Sequence, residues 1–303
     1  MCVTAVACLV LGAGPGAFAA EQAPLILETI IPLGHVAGRI DHLAIDNARR
    51  WLYVAELGNN SLGVVDLSHK KLLRRKTGLR EPQGGADLKE VDRIVIGDDP
   101  DNIRFDATSN LLYVGYGTGA LGIVDPVSRK KIRAIPLRAH PEGFQLDSGG
   151  TRVFINIPDA QEIAVVDRAL NRQVASWNTL DLHGNYPMAL NHSARTALVV
   201  FRRPPTLVEY ALANGAVLGH VTSCADADDV FYDQQRQRIY VSCGSGFVET
   251  FAKQGGRLAS IGRLPTIPRA RTALSMPEAD RMFLAVRVNG ATRASIWVLR
   301  RAG

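Results

Sequence analysis

Ile103–Pro126 reads IRFDATSNLLYVGYGTGALGIVDP, and its layout recurs along the chain. An apolar strand ends in Asp106, a polar turn follows, and a second strand of the form apolar–aromatic–Val begins at Leu112. The unit appears earlier as LAID…LYV, at Leu43–Asp46 and Leu52–Val54, and returns as FQLD…VFI, MALN…ALV, VFYD…IYV and ALSM…MFL. Within each unit the offset is fixed. Asp46 to Tyr53, Asp106 to Tyr113, Asp147 to Phe154, Asn191 to Leu198, Asp233 to Tyr240 and Met276 to Phe283 are all seven residues apart.

From unit to unit the second anchor moves from 53 to 113, 154, 198, 240 and 283, and the last four steps are 41, 44, 42 and 43 residues. A period of about 40 to 45 residues with several strands per unit marks a propeller, because helical repeats of that length carry apolar residues at a spacing of 3.6. Here the alternation has period two, as in Leu62–Val64 and Ile163–Val165, which suits half-buried strands. Two further strands follow in each unit, as in SLGVVDL and LLRRKTGL after Tyr53. The expected fold is therefore all-β: a β-propeller of four-stranded antiparallel blades.

The first step, from 53 to 113, is 60 residues, and Leu79–Gly97 fills the excess with only Val91–Ile96 reading as a strand. Six clear repeats plus a truncated one allow two rings, six blades with an inserted loop or seven with one stripped down. The last unit stops at a third strand, ASIWVLRRAG, whereas Ala23–Leu33 (APLILETIIPL) is an apolar strand without a unit. The N-terminal strand is expected to close the last blade, which hides strand edges that would otherwise pair with other chains.

The chain has 303 residues, 47% of them apolar and 21% charged, an ordinary balance for a globular protein with a large core. Residues 1–20, MCVTAVACLVLGAGPGAFAA, carry no charge and end in small residues, as a secretory signal peptide does. Residues 21–303 are then a single propeller domain, periplasmic or secreted, with no membrane span and a monomer expected. Cys2 and Cys8 leave with the signal. Cys224 and Cys243 remain and flank one hairpin, so in an oxidising compartment either a disulfide or two buried thiols is open. The formal charge of +6 comes from scattered basic residues, which give nucleic acid only a weak case.

The segments GRIDHLAID, LYVAELGNNSLGVVDL, LREPQG, GDDPDNIRFD, HPEGFQLD, IAVVDR, DADDVFYD and IYVSCG resemble the YVTN β-propeller repeat family, in particular its YncE-like exported proteins. The resemblance runs from Ile31 to Leu299 and implies a ring that is usually seven-bladed, with no agreed catalytic residue. This chain departs from the pattern after Arg80–Gly84, where most of one blade is missing.

A propeller brings the starts of its innermost strands to one mouth of the central channel. Counting back five from each first anchor gives Asp41, Asp101, Glu142, Tyr186, Asp228 and Arg271, and counting back four gives His42, Asn102, Gly143, Pro187, Asp229 and Thr272. Glu81, Asp98–Asp99, His140, Asn185 and Asp226 lie nearby in sequence. The candidate ligand-binding set is thus Asp41, His42, Glu81, Asp101, Asn102, His140, Glu142, Asn185, Asp228, Asp229 and Arg271. Local turn bonds would also put Asp and Asn before a strand. These residues, however, differ from blade to blade while the frame stays constant, which turn chemistry does not require. Carboxylates and histidines gathered in this way could bind a divalent cation or a polar small molecule; no other cofactor is indicated. The recurring aromatics Tyr53, Tyr113, Phe154, Tyr240 and Phe283 sit in the frame and read as blade core.

No G-x-S-x-G, H-E-x-x-H or C-x-x-C occurs, and the Gly-rich GYGTG opens no helix. The leading expectation is a binding or scaffold protein with a small molecule or protein partner at the mouth or rim loops, rather than an enzyme. The alternative is a lactonase-like, metal-dependent hydrolase using the mouth carboxylates. A quinoprotein or haem-linked subunit is weaker still, since no C-x-x-C-H is present.

Overall fold

The computed structural model describes residues 23–79 and 93–302. The seven-residue offset has a local cause. At the end of the inner strand the Asp carboxylate accepts backbone N–H groups of the turn, as Asp46 does from Arg49 (3.0 Å), Asp106 from Thr108 (3.1 Å), and Asp233 from Gln235 (3.0 Å) and Arg236 (3.0 Å). Four residues after the Asp or Asn, the chain takes a left-handed conformation at Arg50, Asn110, Arg195 and Gln237, and the turns after Asp66, Asp125 and Asp167 repeat it at Lys70, Arg129 and Asn171; the turn after Asp147 does without it. A non-glycine residue pays about 1–2 kcal/mol for that conformation, and the carboxylate-to-backbone bonds offset it. In the sixth unit Met276 has no such carboxylate. A 3-10 turn at Pro277–Ala279, with Asp280 left-handed, takes its place.

Among the described residues the strands form six four-stranded antiparallel sheets. Blade 1 is made of β2 (Leu43–Asp46), β3 (Trp51–Glu56), β4 (Ser61–Asp66) and β5 (Lys71–Thr77). Blade 2 follows with β6 (Ile103–Asp106), β7 (Leu111–Tyr116), β8 (Ala120–Asp125) and β9 (Lys130–Pro136). Blade 3 holds β10 (Phe144–Leu146), β11 (Arg152–Ile157), β12 (Glu162–Asp167) and β13 (Arg172–Asn178). Blade 4 comprises β14 (His183–Asn191), β15 (Thr196–Arg203), β16 (Pro205–Ala211) and β17 (Val217–Thr222). Blade 5 has β18 (Ala227–Asp233), β19 (Arg238–Cys243), β20 (Phe247–Gln254) and β21 (Arg257–Pro265). Blade 6 takes β22 (Ala273–Met276), β23 (Arg281–Val286) and β24 (Ser295–Arg301), and its outer strand is β1 (Leu25–Pro32).

The ring therefore closes as expected, through the antiparallel pairing of β1 with β24. Strand closure continues at both ends, where Leu33 N–H donates to the Ala294 carbonyl (3.0 Å) and Ala302 N–H to Pro24 (3.1 Å). The ring has six blades, not the seven usual for the family that the repeats resemble. The 60-residue step does not hold a second blade among the described residues: Arg93–Gly97 runs without strand pairing, so the strand expected at Val91–Ile96 is absent over that described part. Glu81 and residues 1–20 lie outside the described residues. Among the described residues no helix is long and apolar enough to cross a membrane.

The frame aromatics are core. Each packs against the next blade: Tyr113 against Phe144 and Val153, Phe154 against Val199 and Phe201, Tyr240 against Met282 and Leu284, and Phe283 against Leu52 and Val54. Tyr53 differs. Among the described residues its cluster holds only Leu62, Val64, Trp51 and Leu79, all from blade 1 and the segment just after it. The joint between blades 1 and 2, where the 60-residue step falls, is instead spanned at the mouth by His42 and Asp101, as described next.

Candidate functional site

In the first three blades one backbone arrangement sets the mouth residues. Asp41 N–H donates to Ala55 (3.0 Å), Asp101 N–H to Gly115 (2.9 Å) and Glu142 N–H to Asn156 (2.9 Å), so these side chains leave equivalent positions just before their inner strands. In blade 5, Asp228 sits in a register shift between Ala227 and Asp229. All six residues at this position (Asp41, Asp101, Glu142, Tyr186, Asp228 and Arg271) line one cavity of about 420 Å³. His42 and His140 line it too. A second cavity of about 360 Å³ shares most of these residues and continues inward past Asn102, Arg104, Gln145 and Asp229. Gly143 occupies the position of His42 and Asn102 for a steric reason, since a Cβ there would meet the Tyr186 carbonyl oxygen at 2.4 Å.

One side of the mouth is neutralised by arginines. Arg39 pairs with Asp41 and Arg271 with Asp226. Arg202 Nη2 reaches Asp228 Oδ1 at 2.7 Å while its guanidinium lies 3.8 Å from the centre of the Tyr186 ring. On the other side, His42 Nε2 bonds Asp101 Oδ1 at 2.9 Å and so ties blade 1 to blade 2. His140 Nδ1 donates to the Gly117 carbonyl at 2.6 Å. Gly117 (φ +62°) lies in the GYGTG turn, so that turn positions a mouth histidine. Among the described residues no donor reaches the carboxylate of Glu142.

These surroundings shift the acids and bases. Burial and the charge of Asp101 push Glu142 up to about 7. Burial and the charge of Asp228 push Asp229 up to about 7 as well. Burial works against both the His42 cation and the Asp101 anion, yet their mutual hydrogen bond and charges prevail, raising His42 and lowering Asp101.

The sign of the resulting pH dependence follows. Asp229 lies above its unfolded value of about 3.9, so between about pH 4 and 7 the folded chain holds a proton that the unfolded chain has lost. That contribution is complete below about pH 4 and is lost as pH rises through about 7. His42, raised above 6.5, acts in the same direction. Thermal melts are therefore expected to fall between pH 5 and pH 8, and Asp229→Asn to flatten that slope. An unchanged slope in Asp229→Asn would show that this carboxyl is not protonated in the folded chain.

Of the sequence candidates, Asp41, His42, Asp101, His140, Glu142, Asp228 and Arg271 meet in the mouth cavity, and Asn102 and Asp229 line its inward continuation. Asn185 does not join them. It is fully buried and donates to Asn156 Oδ1 (3.3 Å) and the Glu162 carbonyl (3.0 Å), latching blade 4 to blade 3. Cys224 and Cys243 are joined by a disulfide, inside the core between blades 4 and 5. The candidate set omitted Arg39, Arg104, Tyr186 and Arg202. Arg104 was within reach of the sequence, since it follows Asn102 by two on the same strand face.

No protein-family model matches the chain, and no curated protein matches it. Solved structures do. A chain of the mitotic checkpoint complex is similar with a TM-score of 0.65 at 12% identity, covering 99% of both chains. Hydrazine synthase from Kuenenia stuttgartiensis is similar with a TM-score of 0.56 at 17% identity, covering 94% of this chain and 80% of that one. The likeness is one of fold alone. It agrees with the six sheets in making the chain a six-bladed β-propeller.

Proposed function

We propose that this chain is an exported binding protein of the YVTN-repeat, YncE-like kind, and that its ligand is a small polar molecule, or a polar segment of a protein partner, seated in the mouth. One observation carries the reading: six positions with a common place in the repeat hold Asp, Asp, Glu, Tyr, Asp and Arg, and converge on one cavity of about 420 Å³. A purely structural role for these positions would favour repetition. That volume falls within the range of about 300–1,000 Å³ for small-molecule sites. A protein partner gains some support from the likeness to a chain that belongs to a complex. Export is part of the reading, and the uncharged N-terminal stretch and the Cys224–Cys243 disulfide support it.

The test is a thermal-shift screen against small polar metabolites, amines and carboxylates alike, on the protein stripped of metal by chelation and on untreated protein. Hits are expected to lose their shift in Arg271→Ala and Tyr186→Ala. Hits that keep the same shift in both variants would place binding elsewhere. The mixed charge of the mouth does not favour a polyanion, so affinity for nucleic acid is expected to be weak and to fall steeply with salt.

A further inference from the structure

We propose that Asp101, His140 and Glu142 form a binding site for one divalent transition-metal ion of the zinc class, placed at the wall of the mouth. The inference deepens the mouth-binding reading and rests on it, because the ion would present its remaining coordination positions to the ligand. The ligand-capable atoms of these three residues lie within 4.8 Å of one another. Bonds of about 2.1 Å to one ion set ligand atoms about 3.4 Å apart, so closure by at most about 1.4 Å completes the site.

Proximity alone would be a weak argument; the surroundings of the three residues supply the stronger one. With Nδ1 of His140 donating to the Gly117 carbonyl, Nε2 holds the ring's lone pair. Metal-bound histidines are oriented in this way, by a carbonyl or carboxylate on the other nitrogen. Asp101 is held similarly. His42 Nε2 occupies its Oδ1 at 2.9 Å and leaves Oδ2 for an ion. Glu142, in the equivalent position of the next blade, has neither a donor nor a cation on its carboxylate among the described residues. Arginines answer the carboxylates of Asp41, Asp226 and Asp228, and among the described residues none pairs with Asp101 or Glu142. Two carboxylates with one imidazole suit Zn²⁺ or Mn²⁺ better than Ca²⁺ or Mg²⁺, which take oxygen ligands.

The experiment is calorimetric titration of the full, chelator-stripped chain with Zn²⁺, Mn²⁺, Ca²⁺ and Mg²⁺ in turn. About one Zn²⁺ or Mn²⁺ per chain is expected, with Ca²⁺ and Mg²⁺ much weaker. His140→Ala and Glu142→Gln should each weaken Zn²⁺ binding by at least about 100-fold, the upper end of what even an outer-shell loss produces, and His42→Ala by about 10-fold. His220→Ala, on an exposed outer strand, should leave it unchanged. His140→Gln, which conserves bulk, repeats the test with melting curves as a check on folding. Absence of saturable Zn²⁺ and Mn²⁺ binding, or binding that survives both His140→Ala and Glu142→Gln, overturns the proposal. The two readings fail separately: a mouth ligand that shifts chelated protein through Arg271 and Tyr186 keeps the binding reading even if no ion binds.

Discussion

Ile31→Asp is expected to cost more than about 4 kcal/mol and to abolish cooperative unfolding near room temperature, because it buries an unpaired carboxylate at the closure of the ring. Ile31 is 0% exposed, on β1, and packs with Phe283, Ile296, Leu52 and Val54 between blades 6 and 1. Its neighbour Ile30 lies on the opposite face of the same strand and is 47% exposed. Ile30→Asp should therefore change stability by less than about 0.5 kcal/mol, the usual range for exposed positions. Urea unfolding of the two variants reads the contrast directly. Equal effects would mean that β1 does not close blade 6 in this register.

The second large effect is expected from the Cys224–Cys243 disulfide. It closes a loop with a sequence separation of 19 residues, and the entropy of such a loop corresponds to about 3 kcal/mol of stability. Both cysteines are buried, in the cluster with Val230, Val241 and Phe251 between blades 4 and 5. Reduction, or the paired change Cys224→Ala with Cys243→Ala, should lower the melting temperature, with the reductant having no further effect on the double variant. A reductant that lowers the melt of that variant as much as that of the unchanged chain would contradict the assignment.

The parts of the fold written in the repeat were readable from it, and those outside it were not. The Asp-to-aromatic offset is readable because it is local: a carboxylate-locked turn ending in a left-handed residue fixes the spacing between two strands. The closure by β1 followed from counting strands, since the last unit lacked a fourth and the N-terminus had one to spare. The blade number could not be counted in this way, because a 60-residue step fits either an inserted loop or a stripped blade, and only pairing distinguishes them.

At the mouth, the count found Asp41, Asp101, Glu142, Tyr186, Asp228 and Arg271, whereas Asn185, added because it lies next to Tyr186 in sequence, is not in the cavity. Neighbouring residues of a strand point to opposite faces, so with Tyr186 in the mouth, Asn185 must turn into the blade interface. Arg39 and Arg202 come from a loop and a second strand, which a count along the inner strands does not follow. The function of Gly117 was equally out of reach, since its carbonyl meets His140 across 23 residues of sequence.

The most direct test of the central claim, that the non-repeating mouth is the place where this propeller binds, is a crystallographic screen with small polar fragments. Fragments are expected to gather in the cavity between Asp101, Glu142, Tyr186 and Arg271, with oxygen or nitrogen atoms on those side chains. Fragments that settle on the rim or between blades while leaving that cavity to water would contradict it.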